Sequence, residues 1–171
     1  VILDVITYPD KRLWEVSKPV EVFDKDLHAL LDNMYETMIA KEGIGLAAIQ
    51  VAVPLNVLII NLADEEGLQH KEELREVINP VILERDGSVV YQEGCLSVPE
   101  VYEDVERYKT ITVRYHNRSG EVIEEALDGL IAIAMQHEMD HLSGRLFIEK
   151  LSYLKRKKFD KEFKKRQREK A

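Results

Sequence analysis

Leu130-Ile131-Ala132-Ile133-Ala134-Met135-Gln136-His137-Glu138-Met139-Asp140-His141-Leu142 decides what kind of fold this chain can adopt. The first six residues are apolar, far too few to cross a bilayer. The rest carry H-E-x-x-H, so a helix here is mostly buried yet holds two imidazoles and an acid. Such groups are costly to bury unless they are paired or ligated. Asp128 is placed to cap this helix and Gly144 lies just past its end. Successive helical residues turn by about 100°. His137 and His141 therefore lie about 40° apart and one turn apart in height, so both can reach one ion. Glu138 lies to the side, where it can approach a water without being a ligand.

Working outward, the helix follows a set of short strands. Asn56–Leu62 is rich in β-branched and aliphatic residues, and Glu76–Leu83 reads as another strand. Pro80 interrupts the latter and predicts a place near a sheet edge. Arg85-Asp86-Gly87-Ser88 turns into Val89–Tyr91. Lys109–Tyr115 alternates, with Ile111, Val113 and Tyr115 on one side. Asn117-Arg118-Ser119-Gly120 turns it back onto Glu121–Leu127. Upstream, Asp24–Ala40 spaces Leu27, Leu30, Leu31, Met34 and Met38 as an amphipathic helix, with Asp24 as N-cap and Glu42-Gly43-Ile44-Gly45 as the stop. A last helix starts near Ser152 and continues to the end of the chain. The order predicts an α+β fold: short, mostly antiparallel strands around the central H-E-x-x-H helix, flanked by N- and C-terminal helices. Residues 1–150 are expected to form one catalytic domain and 151–171 a basic C-terminal helix.

The 171 residues suit a single domain. One cysteine, Cys95, rules out an intramolecular disulfide and fits a reducing compartment. Val1–Asp10 holds acids and a proline and lacks the basic start and apolar run of a signal peptide. A cytoplasmic protein without a membrane segment is expected. The net charge of −8 is uneven: from Lys150 onward there are eleven basic and three acidic residues, against thirteen and twenty-nine before it. An acidic body with a basic tail can mark a docking element for an anionic partner. The bland reading of the tail is a solvated helix face with Leu151, Leu154, Phe159 and Phe163 on its apolar side.

A catalytic site of the zinc kind needs three protein ligands and one open position. The third ligand is not obvious downstream of the helix. Asp140 points away from the His137 face, and His28, His70 and His116 lack a partner spacing. Cys95 is the best candidate, in Glu93-Gly94-Cys95-Leu96-Ser97 at a strand end, although a lone cysteine is more often a core filler. A thiolate and two imidazoles around a dication leave a net charge of +1, which acidifies a bound water and polarises a carbonyl. Neither motif decides the case separately.

Gly43-Ile44-Gly45-Leu46-Ala47-Ala48-Ile49-Gln50, Glu93-Gly94-Cys95-Leu96-Ser97 and Gln136-His137-Glu138-Met139-Asp140-His141-Leu142 occur in this order. Together they resemble the three signature motifs of peptide deformylase, with no departure at any signature position. Pro9-Asp10-x-Arg12-Leu13, the length and the basic C-terminal helix look like the bacterial form, so the resemblance spans nearly the whole chain. It implies an amide hydrolase that removes the formyl group from formyl-methionyl nascent peptides and releases formate. It implies that Cys95, His137 and His141 hold one divalent ion, usually Fe2+, although Zn2+, Ni2+ or Co2+ can occupy the site. It also implies that Glu138 is the general acid/base and that Gln50 and the backbone N–H of Leu96 hold the formyl oxygen. Donors so aimed are what a tetrahedral oxyanion requires.

Substrate contacts follow from the same motifs. Ile44 and Gly45 can offer an edge-strand backbone to an extended peptide, which suits an enzyme that must accept many sequences. The bland reading is that the two glycines and two alanines merely allow close packing. Leu130, Ile133 and Ala134 lie on the His137 face one and two turns earlier and can wall a methionine pocket, with Glu93 and Gly94 beside them. Glu42 and Arg107 have matching charges for a pair flanking the site. A monomer is expected, with the basic helix as a ribosome contact. The alternatives are a metallopeptidase, whose third ligand would normally lie downstream, and a binding protein with a closed structural metal site, which would want a fourth ligand.

Overall fold

The structure is a computed structural model that describes residues 1–170. After an extended N-terminal segment, helix α1 (Lys25–Ala40) starts at Asp24, whose carboxylate accepts from the Leu27 N–H. Its apolar stripe, Leu27, Leu31, Met34 and Met38, is buried, as its spacing requires. The helix is stopped by Glu42, which takes a left-handed φ of 59°. Strand β1 (Gly45–Ala47) follows, then a 3-10 turn (Ala48–Val51), β2 (Val57–Ile60) and β3 (Arg75–Asp86). Strands β4 (Val89–Cys95) and β5 (Val98–Arg107) form a separate hairpin, before β6 (Thr110–His116), β7 (Val122–Asp128), α2 (Leu130–Leu142) and α3 (Tyr153–Lys170).

Five strands make one antiparallel sheet in the order β1-β2-β3-β6-β7. The period of two along β2 explains the layers. Leu58 and Ile60 join Ala132 and Met135 of α2, whereas Val57 and Ile59 join Leu31, Met34 and Met38 of α1. Both faces of β2 are thus covered, and each fully buried aliphatic side chain contributes on the order of 1.5–3 kcal/mol. A third cluster gathers Val98, Val101 and Val105 of β5 with Leu13, Leu146, Phe147 and Ile148. Phe159, only 3% exposed, anchors α3 to this cluster.

Four sequence-based expectations are corrected. Pro80 lies in β3, the middle strand of the sheet, not at an edge. It is tolerated because β2 pairs only with Arg75–Ile78, and the pairing with β6 shifts register between Ile78 and Val81. Asp128 does not cap α2; Gly129 occupies the N-cap position without a side-chain bond, and the Asp128 carboxylate accepts from the Gly129 N–H. Leu154 is 76% exposed and does not join the apolar side of α3. Glu42 and Arg107 do not pair, since Arg107 binds Glu93 and Asp140. The β5 strand was not anticipated, because Val98–Arg107 interleaves acids with only three core valines. The end of the C-terminal helix at Ala171 lies outside the described residues.

Candidate active site

The site forms where α2, the β4 terminus and β1 meet. Helix α2 presents His137, Glu138 and His141 on its buried side, and β4 delivers Cys95 as its last residue. The ligand-capable atoms of Cys95, His137 and His141 all lie within 4.8 Å of one another. Cys95 Sγ is 3.4 Å from His141 Nε2. Ligand bonds of about 2.3 Å to sulfur and 2.0–2.1 Å to nitrogen at tetrahedral angles put S and N roughly 3.6 Å apart. The observed spacing therefore suits a shared ion.

A chain of ion pairs orients these groups. His137 Nδ1 meets Glu93 Oε1 at 2.8 Å, which turns Nε2 toward the cysteine side. Arg107 in turn grips Glu93 with two nitrogens, at 2.7 and 2.8 Å, and reaches Asp140 with a third. The Arg107 side chain is 2% exposed, so this is a buried, bidentate pair. Burial alone would raise the Glu93 carboxyl, but Arg107 and His137 outweigh it and hold it below the ordinary range.

Burial makes the charges of these groups depend on one another. Burial disfavours a charged His137, yet Glu138, Cys95 and Glu93 together hold its pKa well above the usual imidazole value. Burial, with the charges of His137 and Arg107, pushes His141 well below that value. Burial is also the main reason the Glu138 carboxyl rises to about 7. Glu138 Oε1 is buried and has no hydrogen-bond partner among the described residues, and it stands 4.0 Å from His141 Nε2. A soft, mixed N/S donor set with an unpartnered carboxylate beside it fits a divalent ion with a water or substrate oxygen next to it.

Gln50 comes from the 3-10 turn after β1, and two bonds aim it. Its Oε1 accepts from the Ala47 N–H at 2.9 Å, and its Nε2 donates to Ser97 Oγ at 3.1 Å. The same Nε2 lies 3.5 Å from Cys95 Sγ, so the amide faces the ligand cluster. A cleft of about 680 Å³ opens above the cluster. Its walls include Ile44, Gly45, Gln50, Glu93, Gly94, Cys95, Leu96, Leu130, Ile133, Ala134, His137 and Glu138. The structure thus brings every sequence-predicted site residue except His141 to the cleft wall, and His141 lies behind Cys95. The carboxylate of Glu93 is taken up by Arg107 and His137.

Two glycines mark where the walls touch. A Cβ on Gly45 would lie 2.5 Å from Glu138 Oε2, and one on Gly43 would lie 2.8 Å from Leu96 Cδ1. Ile44 O accepts from the Asn61 N–H, so Gly45, opposite Ile60, is at a non-hydrogen-bonded pair. Its backbone groups therefore face away from β2, toward the cleft. Sequence reasoning missed Ser97 as the partner of Gln50 and Asp140 as the partner of Arg107. Nothing in a single sequence pairs residues so far apart.

Three protein ligands with a carboxylate beside them, open to a cleft, are the equipment of a metal-dependent hydrolase. Within that class the chain belongs to the polypeptide deformylase family, whose model matches residues 2–157. The activity of the family is the metal-dependent removal of N-terminal formyl groups. The chain is 57% identical to the peptide deformylase of Nautilia profundicola, covering 96% of this chain and 94% of that one. It is 56% identical to that of Helicobacter pylori strain HPAG1, covering 98% and 97%. Among solved structures, a peptide deformylase from Legionella pneumophila superposes with a TM-score of 0.90 at 39% identity, covering 100% and 98% of the two chains. The class I type b enzyme of Acinetobacter baumannii, solved with Met-Ala-Ser bound, gives 0.82 at 33% identity, covering 88% of this chain and 99% of that one.

Proposed function

We propose that this chain deformylates formyl-methionyl nascent peptides with one Fe2+ held by Cys95, His137 and His141. Zn2+, Ni2+ or Co2+ can replace it in the same donor set. The observation that carries this reading is the convergence of those three side chains beside the unpartnered carboxylate of Glu138. Held by Cys95, His137 and His141, the ion would supply Lewis acidity toward the formyl carbonyl and a water. Glu138 accepts the proton of the attacking water and then delivers it to the leaving amine as the C–N bond breaks, giving formate and a free N-terminus. Its place suits it to both tasks, because a buried carboxylate with a free oxygen beside the ligand cluster can take a proton from a water and return it to the amine. The Gln50 amide and the Leu96 N–H hold the developing oxyanion, and Ser97 keeps Gln50 aimed.

Gly45 pairs with the peptide backbone on an edge that Ile44 ties to Asn61, and Leu130, Ile133 and Ala134 wall the methionine pocket. Gly94 offers its backbone to the peptide at the cleft wall and leaves room for the Tyr102 ring, which a Cβ there would meet at 2.6 Å, while Glu93 acts through His137 as a positioning residue. Residues 1–150 carry the chemistry, and the segment after them, with α3, is an appendage to it. Lys157, Lys158, Lys161, Lys164 and Lys165 are exposed on α3 and suit ribosomal RNA as partner. A monomer in a reducing cytoplasm suits a single thiolate ligand and a ferrous ion.

Formate release from formyl-Met-Ala-Ser by anaerobically purified, iron-loaded protein tests the reaction, with Glu138→Ala beside it. Rapid turnover lost in the variant is expected. A wild-type protein with one ion per chain and no formate release would defeat the substrate reading. Reversing Lys158, Lys161 and Lys165 to Glu should weaken ribosome binding and flatten its salt dependence; unchanged binding would remove the RNA contact.

A further inference from the structure

The segment joining β2 to β3 lies outside the metal site, yet it holds the edge on which a peptide is read. Gln69 Nε2 donates to Gly43 O at 3.0 Å and to Asn61 O at 2.7 Å. Asn61 is fully buried; its Nδ2 donates to His70 O at 2.9 Å, and its backbone N–H donates to Ile44 O at 2.8 Å. Ala63 and Gln69 form an antiparallel bridge. Between them Asp64 closes the loop on itself, accepting from the N–H groups of Glu66 and Leu68 and meeting His70 Nε2 at 2.6 Å. Gln69 is therefore presented by a loop whose own polar groups are internally tied.

The Gly43 N–H donates to Met38 O at 2.9 Å and ties this segment to α1, while Gln69 takes up its carbonyl. Gly43 follows Glu42, whose φ of 59° is unfavourable for a side chain of that size. Gly43 is seated on Leu96 and Gly45 on Glu138, each so close that a Cβ would collide. A shift of the Gly43 carbonyl is passed along the chain to the strand edge at Gly45. Among uncharged side chains of this reach, only a primary amide carries two N–H donors on one atom; a carboxylate in its place offers acceptors to two carbonyls.

We propose that Gln69 is a positioning residue for the peptide beyond formyl-methionine: its amide fixes Gly43–Gly45 so that this edge can pair with the extended chain. The inference rests on the reading of Ile44 and Gly45 as the peptide-binding edge. It predicts a substrate-dependent defect. In Gln69→Ala, KM for formyl-Met-Ala-Ser rises about five- to tenfold, as for the loss of one or two hydrogen bonds. For formyl-methionine amide, which ends before the edge, kcat and KM change less than twofold. Should the alanine variant be unstable, Gln69→Met fills the same volume without donors. Hydrogen exchange supplies a second readout: the amides of Gly43 and Asn61, which donate to Met38 O and Ile44 O, exchange at least several-fold faster in the variant, and those of α2 do not. Equal effects on both substrates, or none on either, overturn the inference. Equal KM values for the two substrates in the wild type would instead overturn the edge-strand reading and the inference with it.

Discussion

Gly45 and Glu138 are in contact, so no side chain can be added at residue 45 without moving Glu138. Because a Cβ at residue 45 would lie 2.5 Å from Glu138 Oε2, Gly45→Ala displaces the Glu138 carboxylate, the proposed acid/base, by about an ångström. We expect kcat to fall on the order of 10²-fold, with metal content by atomic absorption unchanged. Arg107 is the other residue that nothing can replace locally. Arg107→Ala leaves the buried Glu93 carboxylate with His137 alone and should cost about 3–5 kcal/mol. In a chain of this size that lowers Tm by on the order of 10 °C, which calorimetry would read. At His70 the neighbouring Asp64 carboxylate raises the imidazole above its usual 6.5, against the opposing effect of burial. A raised folded value means the contact contributes fully below the ordinary imidazole pKa and is lost as pH rises through the raised one. An NMR titration should therefore show His70 above 6.5, and Asp64→Asn should bring it back; an unmoved midpoint would rule out this pairing.

At the scale of elements, α2 and α3 show two ways of placing a helix. Helix α2 needs no side-chain cap, because the apolar residues on its sheet side, Ala132, Met135 and Leu142, fix it to the sheet. Helix α3 has only one buried residue, Phe159, whose ring meets Tyr8 edge-on at 5.3 Å, with Phe163 stacked beside it. Phe159→Ala should cost about 3 kcal/mol, the low end for such a truncation, since the helix can leave the body. Limited proteolysis should then cut within 153–170 while residues before it stay protected. Strand β3 shows why local patterns mislead: a proline sits in a middle strand because β2 is too short to reach it.

For the molecule as a whole, the metal site sits beside the core, not in place of it. The sheet is covered by α1 on one face and α2 on the other, and both clusters are apolar throughout. Removing the ion with a chelator should therefore abolish activity and lower Tm by several degrees, because ligand binding adds to stability by mass action. Far-UV circular dichroism should stay unchanged. Loss of the helical signal on chelation would show that the ion holds the fold as well as the chemistry. Among the described residues no helix is long and apolar enough to cross a membrane.

Much of this was legible in the residues themselves. Helical and strand periods reflect local geometry, so α1, β2, β6, β7 and α2 stand close to where the spacing of Leu27–Met38, Val57–Ile60 and Ile111–Tyr115 puts them. H-E-x-x-H fixes His137, Glu138 and His141 on one helix face, because helix geometry alone sets that spacing. Tertiary structure decided what lies between distant residues: Arg107 against Glu93 and Asp140, Ser97 against Gln50, Gln69 against Gly43, and Leu154 left in solvent. Charge complementarity admits many partners for each of these side chains, Glu42 for Arg107 among them. Only the packing of β4, β5 and α2 around one point selects the pair that is buried together.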